Sequence, residues 1–179
     1  MKMLVISGSP RRHGNSSKLA DKFIEACKEL NMEVFRFDAA FKNIHPCIAC
    51  EKCHKGDGTC TFKDDMDILR PKLIEADAVV LVSPIYYYGL NAQIKCAIDR
   101  FYACDAALHK PKKSALMLSF ADDTYESAQG AIATYRGILN FLGWSDVGLV
   151  MAKECFDTSD VEKTHCLDEA RELAKKFLQ

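Results

Sequence analysis

The chain has 179 residues, 49% of them hydrophobic, and a formal net charge of −1. That length and composition suit one domain with a sizeable core. The near-neutral charge leaves no electrostatic case for nucleic acid or an anionic membrane surface as partner. The opening MKMLVISGSP is apolar only over residues 3–6, too short for a signal peptide or a membrane span, and no later run is long enough. The nine cysteines are therefore expected in a reducing, cytoplasmic setting, as buried, metal-binding or redox-active thiols rather than disulfides.

Along the chain, residues 1–7 read as a short apolar strand running into a Gly/Ser/Pro turn. Residues 16–30 read as a helix with Leu19, Phe23, Cys27 and Leu30 on one stripe. Residues 33–38 alternate as a strand. Residues 39–64 are irregular and carry four cysteines. Residues 66–75 read as a short helix that Pro71 is expected to kink or restart. The AVVLVS run, 78–83, is a continuous apolar strand of the kind buried on both faces of a parallel sheet. A helix over 92–102, a strand over 113–120 and a helix over 127–142 follow, with Gly143 as C-terminal cap. A strand over 147–152 and a helix over 159–178 complete the chain. Strict βα alternation predicts a parallel sheet covered by helices on both faces. Ligands in such sheets bind beyond the carboxyl ends of the strands, where the strand order reverses. The loops after Ser7, Ser83 and Phe120 are thus the places to look.

The first loop reads GSPRRHGNSS, residues 8–17. Gly8 and Gly14 permit unusual backbone angles. Ser9, Asn15, Ser16 and Ser17 offer short polar side chains, and Arg11 and Arg12 offer charge. The N–H groups of the next helix start here, so the loop suits a phosphate, although Ser and Asn also serve as plain helix caps. It matches neither G-x-x-x-x-G-K-[ST] nor G-x-G-x-x-G. The second loop, SPIYYYG, places Tyr86, Tyr87 and Tyr88 at the rim of the sheet, where they either cover a flat ring or pack as core and interface aromatics. Cys47, Cys50, Cys53 and Cys60 form C-x2-C-x2-C-x6-C. That spacing suits a [4Fe–4S] cluster, a tetrahedral zinc or a loop that holds no metal. Cys27 and Cys96 fall on core faces as small hydrophobes. His45 lies beside the cysteines, Asp64 and Asp65 read as helix-capping acids, and Asp99 and Arg100 read as a structural ion pair.

With GSPRRHGNSS, SPIYYYGLNAQIKCAIDR and the cysteine segment between them in place, the chain resembles the NADPH-dependent FMN reductase and iron–sulfur flavoprotein families of the flavodoxin-like superfamily. The likeness is strong over residues 1–100 and generic beyond. It implies a doubly wound five-stranded parallel sheet in the order 2-1-3-4-5, an αβα sandwich formed by residues 1–179 as a single FMN-binding domain, with a cysteine-rich loop at about 39–65. It places the FMN phosphate at Ser9, Arg11, Asn15, Ser16 and Ser17. The isoalloxazine ring and ribityl chain fall against Pro84, Ile85, Tyr86, Tyr87, Tyr88 and Gly89. The other ring edge falls against Ser119, Phe120 and Ala121, in a loop that lacks the glycine often found there. Asp122 and Asp123 near a flavin would disfavour an anionic reduced ring. Iron–sulfur flavoproteins carry a compact cysteine motif at this place in the chain. No side chain is assigned as acid, base or nucleophile, because the flavin carries the chemistry. The resemblance implies hydride delivery to FMN from NADPH or NADH, with a [4Fe–4S] cluster, where present, taking electrons singly towards an acceptor the sequence does not disclose. It also implies a homodimer or homotetramer. A flavodoxin-like carrier that takes electrons from a protein partner is the competing reading, followed by a regulatory protein without turnover.

Overall fold

The computed structural model describes residues 1–56 and 58–179. Asp57, inside the KGDGT return expected between Cys53 and Cys60, lies outside the described residues.

Among the described residues, six strands and seven helices follow one another: β1 (Lys2–Ser7), α1 (Asn15–Glu29), β2 (Glu33–Asp38), α2 (Lys52–Lys55), α3 (Met66–Glu75), β3 (Ala78–Tyr86), β4 (Gly89–Leu90), α4 (Ala92–Asp99), α5 (Asp105–Leu108), β5 (Lys113–Ser119), α6 (Gln129–Leu142), β6 (Ser145–Ala152) and α7 (Cys166–Lys176). The sheet order is β2-β1-β3-β5-β6, all parallel. This is the expected five-strand order, extended by β4, which pairs antiparallel with the end of β3. The order reverses between β1 and β3.

Period-two alternation decides which residue enters which core. Leu4, Ile6, Val79, Leu81, Leu116 and Leu118 point to the layer built on α3, α4 and α6. Met3, Val5, Val80, Val82 and Met117 point to the opposite layer, against Leu19 and Phe23 of α1 and Leu173 of α7. Phe23 and Phe177 meet edge to face at 5.8 Å. With both faces covered, the strands need the continuous apolar runs seen in the sequence. Gly143 ends α6 at φ +71, in the left-handed region a glycine enters without strain.

Three expectations shift. One helix, α3, passes through Pro71 without a restart, since burial of Leu69 and Leu73 holds both of its halves on the sheet. The last helix begins at Cys166, after a short 3-10 turn at Asp160–Lys163. Cys27 is fully buried, and its thiol is pushed up to about 12 by that burial, whereas Cys96 is only half-buried.

Candidate functional site

At the reversal point, the carboxyl ends of β1 and β3 are stitched together by Asn91. Its buried amide donates to the Gly8 carbonyl, and its backbone N–H donates to Ser83 Oγ at 3.1 Å. Ser83 Oγ donates in turn to Asn91 Oδ1 at 3.0 Å. The fit is close: a Cβ on Gly8 would lie 2.1 Å from Asn91 Oδ1. Above this seam opens a crevice of about 260 Å³, lined by Ser9, Pro10, Arg11, Gly14, Asn15, Ser16, Pro84, Ile85, Tyr86, Ser119, Phe120, Ala121, Cys155 and Phe156. All three loops anticipated from the sequence contribute to it, and the loop after β6 adds Cys155 and Phe156.

The polar side chains of the first loop are already engaged. Ser9 Oγ donates to the Arg11 carbonyl at 3.0 Å, and Ser17 Oγ donates to the same oxygen at 2.9 Å. Ser16 Oγ and Ser119 Oγ share a buried 2.6 Å bond. Asn15 reaches across to the loop after β6, donating to Asp157 O at 2.7 Å and accepting from Val161 N at 3.1 Å. What remains for an anion is the start of α1, where Gly14 occupies the N-cap and no side chain caps the helix, and the guanidinium of Arg11, which makes no ion pair among the described residues. Free helix-start amides and one unpaired cation are the donor set a phosphate monoester needs. Asn15 and Ser17 thus shape the loop, and Ser17 does not reach the crevice wall.

The tyrosine loop divides. Pro84, Ile85 and Tyr86 line the crevice, while Tyr87, Tyr88 and Gly89 stand outside its walls. Tyr87 and Tyr88 form the tip of the β3–β4 hairpin, at φ +46 and +64. Tyr87 is fully exposed. Gly130 of α6 makes room for the tip, since a Cβ there would lie 2.3 Å from the Tyr88 carbonyl oxygen. In the third loop, Asp122 turns to its own segment, accepting from Asp123 N at 2.8 Å and from Ser127 Oγ. The Ser127 bond holds its carboxyl below the usual range. Burial pushes the Cys155 thiol up to about 11, so it is protonated at neutral pH.

A second site lies beyond the other end of α4. Cys47, Cys50, Cys53 and Cys60 line one cavity of about 20 Å³, together with Phe62, Arg100 and Tyr102 among others. Cys47 and Cys50 are exposed, Cys53 is half-buried and Cys60 is buried. Ala49 and Glu51, placed between these cysteines, adopt φ +53 and +60. Left-handed turns in non-glycine residues cost roughly 1–2 kcal/mol each and persist where something fixes the loop. Among the described residues no three donors converge on one point. Four thiols lining one cavity are the ligand set of a tetrahedral zinc and equally of a cubane, which seats each thiolate on a different iron.

Beneath this cavity, Asp64 and Arg100 form a buried ion pair, Nη1 to Oδ2 at 2.8 Å. Arg100 pairs with Asp64 rather than with its neighbour Asp99, which binds Lys95 instead. Asp64 does cap α3, accepting from Met66 N at 3.1 Å. Burial opposes its charge, but bonds from Arg100, His45 N and Met66 N prevail and hold its carboxyl at about 2. His45 stacks on Phe62 at 4.7 Å and turns its Nδ1 to Asp64, away from the sulfurs. His54 stacks on Tyr102 at 4.0 Å. Arg100 and Asn91, at the two ends of α4, are buried polar groups; from the sequence Arg100 reads as the partner of Asp99, and Asn91 is assigned no role.

The sheet order, the two helical layers and a crevice at the reversal define a flavodoxin-like α/β protein. The family profile for NADPH-dependent FMN reductase matches residues 1–154. The chain belongs to that family. It is 41% identical over 100 residues to an iron–sulfur flavoprotein of Methanocaldococcus jannaschii, covering 56% of this chain and 51% of that one. It is 41% identical over 100 residues to an iron–sulfur flavoprotein of Archaeoglobus fulgidus, covering 56% and 45%. The chain thus matches about half the length of these relatives. An FMN-dependent NADH-azoreductase of Bacillus anthracis, solved with FMN, superposes with a TM-score of 0.75 at 17% identity over 100% of both chains. Among the described residues no helix is long and apolar enough to cross a membrane.

Proposed function

We propose that residues 1–179 form one FMN-binding domain of an NAD(P)H-dependent oxidoreductase, with a [4Fe–4S] cluster on Cys47, Cys50, Cys53 and Cys60 as a second redox centre. The observation that carries the reading is the crevice at the strand reversal, where uncapped helix-start amides and the unpaired Arg11 share a cavity with Pro84, Ile85, Tyr86, Phe120 and Phe156. One end of that cavity offers anion donors and the rest offers apolar and aromatic wall. In this reading the α1 amides and Arg11 hold the FMN phosphate, and Pro84–Tyr86 with Ser119–Ala121 hold the ring and exclude water from its covered face. Bound there, FMN would supply two-electron acceptance and one-electron release. Asn91 and the Ser16–Ser119 bond keep the three loops in register while this happens. The cysteine cavity lies past the far end of α4, a helix of about 12 Å by its rise. The physiological acceptor, the preference between NADPH and NADH, a homodimeric or homotetrameric state and a cytoplasmic setting belong to the same reading.

An anaerobic purification tests it. The expected result is a flavin spectrum with broad cluster absorbance, iron and sulfide in equal amounts, negligible zinc, and fast bleaching on stopped-flow mixing with NADPH or NADH. Absence of flavin bands after FMN addition overturns the flavin reading, and zinc in place of iron overturns the cluster. A second reading, an electron carrier fed by a protein partner, draws on the exposed aromatics at the crevice rim, Tyr86, Tyr87, Tyr88 and Phe156. It predicts flavin bands but no bleaching by either nicotinamide.

A further inference from the structure

The ion pair below the cysteine cavity leaves one group unused. Arg100 is 2% exposed. Its Nη1 donates to Asp64 Oδ2 and to the His45 carbonyl, both at 2.8 Å, and its Nη2 donates to Asp64 Oδ1 at 3.3 Å. Its Nε is also buried, and it has no hydrogen-bond partner among the described residues. A buried donor left unpaired costs about 1–3 kcal/mol, so a protein retains one where a partner arrives. Arg100 lines the cavity with all four cysteines, and Asp64 does not. The cationic side of the pair therefore faces the sulfurs and the carboxylate is turned away. Phe62 backs the guanidinium, 5.4 Å from its ring centre, which leaves the plane little freedom to swing. Burial works against the Arg100 charge, but the bond to Asp64 and the proximity of Cys60 outweigh it and hold the group firmly protonated.

We propose that Arg100 is a positioning residue for the cluster on Cys47, Cys50, Cys53 and Cys60: its unpaired Nε–H donates to the sulfur face of the cage beside Cys60, and its fixed charge raises the cluster's reduction potential. The inference rests on the reading that these cysteines hold iron and sulfide. Cluster potentials follow net charge, hydrogen bonds to sulfur and solvent exposure. Each reduction adds one negative charge to the cage, so a buried cation beside it favours the reduced form more than the oxidised one. Asp64 serves to immobilise that cation. Cys47 and Cys50 lie on the exposed side, within reach of water, whereas Cys60 is buried with Arg100 beside it.

The test uses the full chain loaded anaerobically with iron and sulfide, as wild type, as Arg100→Lys, and as the double variant Asp64→Asn with Arg100→Gln. The double variant removes both charges together and leaves no lone buried ion. Iron and sulfide per chain are measured, and the cluster midpoint is titrated by electron paramagnetic resonance, with the FMN midpoint of the same sample as internal control. The double variant is expected to keep its cluster with a one-electron reduction constant tenfold smaller, a midpoint 59 mV lower. Arg100→Lys, which keeps the charge without the planar Nε donor, should shift less and in the same direction, with FMN unmoved. A loaded variant of either kind with the wild-type cluster potential overturns the inference. Loss of iron from both variants, with FMN binding and thermal midpoint retained, supports the positioning role. Loss of iron together with loss of the fold overturns it, because Arg100 then serves the fold. A wild-type chain that takes up flavin but no iron overturns the cluster reading and this inference with it.

Discussion

The crevice and the cysteine cavity are built by different means. The crevice stands on the ends of four parallel strands, and its loops are locked by Asn91, Asn15 and the Ser16–Ser119 bond. The cysteine cavity is carried by the segment 43–60, whose described residues are mostly exposed and include only the short helix α2. It is tied to the fold chiefly by Asp64, Asp65 and Arg100, whose side chains bond Asn43 N, His45 N and the His45 carbonyl. A site on strand ends is preformed by the core beneath it. A site on a loop with two strained turns gains its definition from what it binds. The two should therefore respond independently to mutation.

The largest effect follows from removing ligands. Replacing Cys50 and Cys53 together by alanine should abolish iron and sulfide binding and leave FMN affinity unchanged, read by metal analysis and by quenching of flavin fluorescence. Loss of FMN from that variant would show that the two regions are one unit.

Next comes the crevice floor. Gly8→Ala drives a Cβ into Asn91 Oδ1 and to 2.8 Å from Ile94 Cβ. Overpacking and loss of a buried amide bond together should cost about 2–4 kcal/mol, measured as a lower denaturation midpoint. FMN binding should weaken with it. Iron content, set at the far end of α4, should not.

An acid titration of the iron-free chain probes the anchor of the cysteine loop. The Asp64 carboxyl is held at about 2 against an ordinary 3.8. Its folded pKa is lowered, so its contribution is present above about pH 4 and lost as pH falls towards 2. The size of that shift corresponds to about 2 kcal/mol. Asp64→Asn should flatten stability over this window, and an unchanged slope would place the acid sensitivity elsewhere.

Much of the frame was legible in the sequence because period-two and helical patterns report burial directly. Residues 33–38 and 66–75 were bounded correctly, and Gly143 ended its helix as a glycine at that place should. The hairpin was not legible. A two-residue turn with both central residues at positive φ normally announces itself as Asn-Gly or Asp-Gly, and here Tyr87 and Tyr88 occupy it, so β4 has no local signature. The fourth wall was missed for a related reason, since Phe156 follows the edge strand and carries no motif. Asn91 looks like an ordinary N-cap until the fold brings Gly8 beside it across 83 residues. Arg100 likewise meets Asp64 only in three dimensions.

The smallest effects sharpen the comparison at the crevice itself. Arg11→Gln should weaken FMN binding roughly tenfold, the worth of one charge-assisted bond, and should leave riboflavin binding nearly unchanged because riboflavin has no phosphate. The tyrosine loop gives a finer test, because three adjacent residues of one type occupy different places. Tyr86 lines the crevice and Tyr87 stands clear of it, fully exposed. Tyr86→Ala removes an aromatic wall worth about 0.5–1.5 kcal/mol, so FMN affinity should fall roughly twofold to tenfold. Tyr87→Ala removes nothing the cavity uses and should leave FMN affinity of the isolated chain unchanged. The order is decisive because a loop folded over the ring would make the two substitutions equivalent. If Tyr87→Ala weakens FMN as much as Tyr86→Ala at low protein concentration, the hairpin tip closes over the flavin within one chain. If it does so only at high concentration, the exposed ring reaches the site of a second copy.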